Sequence, residues 1–214
     1  MMTTLLLIRH GFSTSNEDGT LTGQIDVPLT PLGVLQGEAA CRYVLENYSV
    51  DAVYSSDLVR AVDTVRPLAD ALSLPVLTDP DLREMHCGVW SGESIAKLKA
   101  MYGDAYAAWG DAVAGVFPEG GESWNALADR AYSALLRIAK ENAGKTVAIA
   151  THGGTLRALC GTCLGIPMED WRDRLTYAPN AALTVLTYDG ECFVRKAIVD
   201  SYLGDLKTEM PKGI

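Results

Sequence analysis

Residues 3–11 read TTLLLIRHG, a short leucine-rich and isoleucine-rich run that ends in arginine, histidine and glycine. A continuous apolar run of this length is typical of a strand buried on both faces of a sheet, so we predict a strand over Thr3 to Arg9. Residues 146–153 read TVAIATHG and repeat this arrangement, which predicts a second buried strand over Thr146 to Ala150. A histidine follows each predicted strand within two residues.

Strand and helix patterns alternate along the rest of the chain. Further strands are predicted over Asp51 to Ser55, Val76 to Thr78, Leu183 to Tyr188 and Cys192 to Val199. Helices are predicted from Thr30-Pro31 to about Asn47, from Asp57 onward with Pro67 expected to kink or divide the helix, from Trp124 to Asn142, and from Gly153 to about Leu164. This alternation predicts a three-layer α/β/α fold with a mainly parallel central sheet.

Ligands of such sheets bind beyond the carboxyl ends of the strands, where the strand order reverses. If the two histidine-bearing strands are neighbours, His10 and His152 reach the same crevice, although they lie far apart in the sequence. The alternative for each histidine is a packed side chain bonded to the backbone.

The chain length of 214 residues favours one domain, 1–214, and a hydrophobic fraction of 48% is enough for a substantial core. The stretch from Ser91 to about Gly115 has helical composition interrupted by Gly103 and Gly110, so we predict two short helices there. We interpret about residues 91–122 as a helical insertion. Residues 12–29 are predicted to form a loop.

The formal net charge of −9, from 18 basic and 27 acidic residues, argues against a nucleic-acid binder that neutralises many phosphates. An anionic ligand would therefore need a local basic cluster. We expect no signal peptide, because the apolar run Leu5 to Ile8 is only four residues long and no basic region precedes it. We expect no membrane span, because no uncharged apolar stretch reaches about 18 residues. Five scattered cysteines indicate a reduced, cytoplasmic protein. Cys160 and Cys163 are predicted to share a helix face, a metal or redox pair being the alternative.

A neutral imidazole such as that of His10 can attack phosphorus and form a phosphohistidine. The transferred group then needs cationic and hydrogen-bonding neighbours, which Arg9, Arg60, Ser13 and Asn16 can supply. The alternative for the two arginines is a salt bridge at the surface. A surface salt bridge suits Arg9 less well than Arg60. Arg9 ends an apolar strand, and a charge placed there needs a specific partner.

The departing alcohol needs a proton, and Glu84 is the candidate acid. It lies in the segment LREMHCGVWSG, residues 82–92, amid glycines and a tryptophan, in a loop between predicted elements. Loops of this kind often hold catalytic groups. The alternative is an ordinary solvated glutamate.

Six segments of the chain together resemble the histidine phosphatase superfamily, the phosphoglycerate mutase-like family. They are LIRHGFSTSN (7–16), TGQIDVPLTPLGVLQG (22–37), SSDLVRAVDT (55–64), LREMHCGVWSG (82–92), PEGGES (118–123) and ATHGGTLRAL (150–159). The first segment contains the R-H-G-x-[ST]-x-x-N signature, which is specific to this superfamily. The match runs in order from about residue 4 to 188.

The resemblance implies a phosphoglycerate mutase-like fold, with His10 as the phosphorylated nucleophile and Glu84 as the proton donor. The residues that it implies for the phosphate pocket are Arg9, Arg60, His152, Asn16 and Gly153. It implies weaker substrate contacts at Thr22 and Gly23, and Ser13 is a weaker candidate from its residue type. No metal or other cofactor is implied, and the partner is a small phosphorylated metabolite, with oligomeric state left open.

Two positions depart from the family pattern. Phe12 occupies a position that is often Glu or Gln, and His86 is more typical of the mutase branch. We expect Phe12, Thr22 and the inserted segment to determine specificity.

The resemblance leaves three functions to weigh. The first is phosphomonoester hydrolysis and the second is a phosphoglycerate mutase. Related mutases carry an arginine pair after the tryptophan of the inserted segment, whereas Trp109 is followed by Gly110-Asp111-Ala112-Val113, so hydrolysis is favoured. The third, a non-catalytic phosphate-binding protein, is disfavoured because His10, Arg60, Glu84 and His152 are all present.

Overall fold

A computed structural model describes residues 1–175 and 177–208. Its strands and longer helices, in chain order, are β1 (Thr3–Arg9), α1 (Thr14–Glu17), β2 (Thr20–Leu21), α2 (Pro31–Asn47), β3 (Ala52–Ser55), α3 (Val59–Leu72), β4 (Val76–Thr78), β5 (Glu93–Ser94), α4 (Ile95–Gly110), α5 (Trp124–Glu141), β6 (Thr146–Thr151), α6 (Gly153–Cys163), α7 (Trp171–Arg174), β7 (Leu183–Tyr188) and β8 (Phe193–Val199). The end of the predicted 1–214 domain, residues 209–214, lies outside the described residues.

The described strands form a six-stranded sheet in the order β4-β3-β6-β1-β7-β8, and β2 pairs separately with β5. The first four strands are mutually parallel, whereas β7 and β8 run antiparallel to their neighbours. The predicted mainly parallel sheet is confirmed. β1 and β6 are direct neighbours, with Arg9 opposite Thr151, so both histidine-bearing strands end at the same edge of the sheet.

The apolar run of β1 is continuous because helices cover both faces of the sheet. Leu5 and Leu7 pack in one cluster with side chains of α5 and α6. Leu6 and Ile8 pack on the opposite face with side chains of α2 and α3. All four are fully buried, and each contributes roughly 1.5–3 kcal/mol of hydrophobic stabilisation. The three predicted layers are therefore present.

Pro67 does not divide α3, which continues through it from Val59 to Leu72. Proline removes the hydrogen bond to the carbonyl four residues earlier, here that of Asp63. Both residues are half-buried, so water can reach that carbonyl, while Val65 and Leu68 hold the other face of the helix in the core.

The inserted segment contains the two short helices that the sequence predicts. α4 is broken at Gly103, where φ is +43° and ψ is −113°, and its second part ends at Gly110. A cluster of large side chains anchors the segment to α5 and α6. Its aromatic members are Trp90, Tyr106, Trp109, Trp124 and Trp171.

The predicted loop at 12–29 contains two short elements, α1 and β2. Ser13 caps α1 through a capping box with Asn16, and β2 forms only two pairs with β5, about 70 residues away. Elements this short carry no detectable periodicity. No helix within the described ranges is both long and apolar enough to cross a membrane.

Candidate active site

His10 lies just beyond the end of β1 and is 5% exposed. Its Nδ1 is 2.7 Å from the carbonyl oxygen of Gly11. A carbonyl can only accept, so Nδ1 carries the proton and Nε2 of the neutral ring has the free lone pair. Burial, together with the charges of Arg60 and Arg9, holds the pKa of this imidazole well below its ordinary value. The ring is therefore neutral and suited to act as a nucleophile.

His152 lies beyond the end of β6 and is fully buried. Its ring centroid is 5.2 Å from that of His10, and its Nε2 is 2.8 Å from Oγ of Ser56. Nδ1 is buried without a hydrogen-bond partner among the described residues. Burial and the nearby charge of Arg60 also lower the pKa of His152. The two matched histidines of the sequence thus meet at the sheet edge, although only His10 lines the pocket there.

Two guanidinium groups adjoin His10. Arg9 is 6% exposed and donates from Nη1 to the carbonyl oxygen of Ala178 at 2.8 Å. Arg60 is 2% exposed and donates to the carbonyl oxygens of Gly23 and Ile25 at 2.8 and 2.9 Å. Each Nη atom has a second N–H. Burial lowers the pKa of both groups, and an arginine stays charged despite such a shift. The surface alternative does not hold for either residue.

Asn16 presents its amide to the same pocket in a fixed orientation. Its Oδ1 accepts hydrogen bonds from Ser13 N at 3.1 Å, Ser13 Oγ at 3.0 Å and Asn180 Nδ2 at 3.1 Å. The amide NH2 is left to donate to a ligand. Ser13, a weaker substrate candidate, is fully buried and does not line the pocket. Its hydroxyl is committed to this network, so it positions Asn16 instead.

Glu84 reaches the first turn of α6. Its Oε2 accepts from Gly154 N, and its Oε1 accepts from Thr155 N, both at 3.1 Å, while Met85 N donates to Oε1 at 2.9 Å. A helix N-terminus with free N–H groups and a positive dipole end holds a carboxyl in this way. The side chain is half-buried and lines the pocket with His10, which is not the environment of a solvated surface glutamate.

One pocket at the carboxyl end of the sheet collects most of the predicted site residues. Those that line it are Arg9, His10, Asn16, Thr22, Gly23, Arg60, Glu84 and Gly153. Cys87, Trp109, Trp124 and Tyr177 are among the others. None of these four residues was assigned an individual functional role from the sequence.

The two atypical positions lie outside the pocket lining. Phe12 donates its backbone N–H to Oε1 of Gln36 at 2.7 Å and accepts at its carbonyl from Thr30. His86 is exposed, and its Nδ1 accepts from Gly88 N. Phe12 does not line the pocket, and its expected influence on specificity stays a prediction. Thr22 and the inserted segment do contribute lining groups.

The acid-bearing loop has a support that the sequence did not reveal. Arg130 of α5 donates to the carbonyl oxygens of Asp81, Arg83 and Glu84, each at 2.9 Å. The same guanidinium forms a two-pronged ion pair with Glu122 at 2.6 and 3.0 Å. Side-chain exposure of the pair is only 19% and 16%. Arg130 thus fixes the backbone from which the Glu84 side chain extends.

A second support holds the nucleophile loop. Asn180 is 3% exposed and donates from Nδ2 to the carbonyl oxygen of His10 at 3.0 Å, as well as to Asn16. It lies three residues before β7, which pairs with β1. A polar residue just before a buried strand is the only signal in the sequence for this role.

Comparison with known proteins identifies the family of this chain. The family model of the histidine phosphatase superfamily (branch 1) matches residues 5–201. The chain belongs to the histidine phosphatase superfamily. An Arabidopsis thaliana relative, named a metal-independent phosphoserine phosphatase, is 39% identical over 74% of this chain and 67% of its own length.

Two further members of the superfamily cover more of the chain. A protein of Yersinia pestis, named a probable phosphoglycerate mutase, is 30% identical over 95% of this chain and 94% of its own. The solved structure of a mycobacterial glucosyl-3-phosphoglycerate phosphatase superposes with a TM-score of 0.84 at 30% identity, covering 91% of this chain and 97% of that one. The shared fold spans nearly all of the chain.

Proposed function

We propose that this histidine phosphatase family member hydrolyses small phosphomonoesters through a phosphohistidine formed on His10. One observation carries the proposal: the Gly11 carbonyl fixes the proton on Nδ1 and leaves the Nε2 lone pair of a neutral imidazole beside two buried guanidinium groups. Such a ring is ready to attack an anionic phosphoryl group that Arg9 and Arg60 have bound.

The first step forms the bond between Nε2 and phosphorus as the bond to the alcohol oxygen breaks. Arg9, Arg60, the Asn16 amide and the Gly153 N–H stabilise the charge on the phosphoryl oxygens. His152 joins them when its Nε2 exchanges the hydrogen bond to Ser56 Oγ for one to a phosphoryl oxygen. Glu84, in its protonated form, gives its proton to the departing alkoxide. In the second step the carboxylate takes a proton from water, which attacks phosphorus and releases inorganic phosphate and free His10.

The mutase alternative has less support. The arginine pair expected of related mutases after the tryptophan of the inserted segment is absent, because Gly110, Asp111, Ala112 and Val113 follow Trp109. The proposal also includes a cytoplasmic location, which the five free cysteines support. It further includes a single domain with residues 91–122 as an insertion, and no nucleic-acid partner.

The test is phosphate release from p-nitrophenyl phosphate by the wild-type chain, His10→Ala and His86→Ala. His86 is the matched control, because it is an exposed histidine outside the pocket. We expect full activity in the control and a loss of at least about 1,000-fold in His10→Ala. Retained activity in His10→Ala contradicts the nucleophile assignment. A wild-type chain that isomerises phosphoglycerate without releasing phosphate favours the mutase.

A further inference from the structure

The pocket has two chemically different halves. The phosphate end holds Arg9, Arg60, His10 and Glu84, and the remaining lining is dominated by apolar and aromatic side chains. These are Leu21, Met85, Ile95, Trp109, Trp124 and Tyr177. The leaving group of a bound phosphomonoester therefore faces this second set, which we call the apolar wall.

The two indole N–H groups of the apolar wall are already paired. Nε1 of Trp109 donates to Sδ of Met85 at 3.2 Å, and Nε1 of Trp124 donates to the carbonyl oxygen of Trp109 at 2.7 Å. A ligand therefore meets the faces and edges of these indoles, not their N–H groups. Apolar and aromatic leaving groups gain from such contact, because it removes their surface from water.

The guanidinium of Arg157 adjoins the apolar wall from behind. Its Cζ is 5.1 Å from the ring centroid of Trp124 and 5.6 Å from that of Tyr177. Its Nη1 donates to the carbonyl oxygen of Gly110 at 2.6 Å. The side chain is 7% exposed and does not line the pocket. It holds the end of α4 against α6, and it is covered from the leaving group.

Within the described lining, every charged side chain belongs to the phosphate end. A carboxylate on the leaving group would face the apolar wall without a cation, and would share the pocket with Glu84. An unpaired charge in such surroundings is costly. A hydroxyl of the leaving group is less penalised, because Thr22 and backbone atoms of Gly23 border the same space.

We propose that this pocket selects phosphomonoesters with an uncharged leaving group that is at least partly apolar, and discriminates against leaving groups that carry a carboxylate. This inference rests on the proposed hydrolase function. It predicts that O-phosphoserine, the substrate in the name of the Arabidopsis relative, is a poor substrate for this chain.

The first experiment compares pairs of esters that differ in one group. Glycerol 3-phosphate and 3-phosphoglycerate share a carbon skeleton and differ by CH2OH against a carboxylate. We expect kcat/KM to be at least about tenfold higher for the uncharged member. A second pair, 2-phenylethyl phosphate and ethyl phosphate, tests the wall, and we expect about a tenfold advantage for the aromatic ester. Equal values in either pair, or a reversed preference, overturn the inference.

The second experiment adds the missing cation. Ile95→Lys places an ammonium in the apolar wall, and Met101→Lys is the matched control, because Met101 lies on the same helix, is 62% exposed and does not line the pocket. We expect Ile95→Lys to raise kcat/KM for 3-phosphoglycerate relative to glycerol 3-phosphate at least about fivefold. The control ratio stays at the wild-type value. An unchanged ratio in Ile95→Lys counts against the inference.

The two proposals fail in different ways. If the wild-type chain releases no phosphate from p-nitrophenyl phosphate or from any ester of the panel, the hydrolase function itself is wrong. If p-nitrophenyl phosphate is hydrolysed but 3-phosphoglycerate or O-phosphoserine has the highest kcat/KM among the other esters, the hydrolase function stands. Only the proposed leaving-group preference is then refuted.

Discussion

Gly154 offers a direct way to move the proposed acid without touching it. A Cβ added at this position would lie 2.6 Å from Oε1 of Glu84, well inside ordinary contact distance. The glycine backbone belongs to α6 and is fixed by the helix, so the carboxyl group must retreat by nearly 1 Å. The retreat also strains its hydrogen bonds from Gly154 N and Thr155 N.

The expected effect of Gly154→Ala depends on the leaving group. A displacement of about 1 Å in a catalytic group costs on the order of 100-fold in rate. Alkyl phosphates, whose alkoxides need a proton from Glu84, should therefore be hydrolysed about 100-fold more slowly. p-Nitrophenyl phosphate, whose phenolate hardly needs an acid, should lose less than about threefold. Folding is not weakened in parallel, because alanine favours a helix over glycine by about 0.5–1 kcal/mol.

The assay is steady-state phosphate release from both ester types, with thermal unfolding measured on the same samples. Glu84→Gln sets the loss expected when the acid is removed altogether. Thr162→Ala is the control, because it changes an exposed residue of the same helix away from the pocket. Equal losses of Gly154→Ala on both esters, or no loss on either, refute the assignment of Glu84 as the acid.

Two further predictions concern acid sensitivity and the acid-bearing loop. The pKa values of His10 and His152 are lowered in the folded state. The unfolded chain therefore takes up protons first, and the free energy of unfolding decreases as the pH falls below about 6.5. Urea unfolding at pH 7 and pH 5 should show a smaller loss for His10→Gln than for the wild type, and identical losses contradict the lowered pKa. Arg130→Gln releases three backbone carbonyls and Glu122, and we expect about a tenfold lower kcat on alkyl phosphates with little change in phosphate affinity. If Arg130→Gln lowers phosphate affinity and kcat together, the site is generally disrupted, and the specific role of Arg130 in positioning Glu84 is contradicted.

The strands that position the site could be predicted because their sequence pattern has a single physical cause. Leu5 to Ile8 are apolar without interruption since helices cover both faces of β1, and the same holds for β6. The histidines that follow these strands come together because parallel neighbours end at one edge of the sheet. For β1 and β6, the apolar pattern of the sequence and the position of the strands in the sheet agree.

The supports of the site could not be predicted in the same way. Arg130 lies among the polar residues of α5, and nothing local distinguishes it from a solvated arginine; its role depends on carbonyls 46 to 49 residues earlier. Asn180 acts across 170 residues on the His10 carbonyl. Pro67 was expected to kink or divide its helix, and tertiary packing kept α3 undivided. Contacts between distant segments decide all three cases.

The role of His10 as the nucleophile is tested most directly by trapping the phosphoenzyme. The wild-type chain is mixed with an ester labelled in its phosphoryl group, quenched in base within the first turnover, and mapped by mass spectrometry. We predict an acid-labile, base-stable phosphoryl group on the peptide that contains His10, formed no more slowly than the alcohol is released. Turnover without a phosphoenzyme, or with the label on a residue other than His10, would contradict the assignment of His10 as the nucleophile.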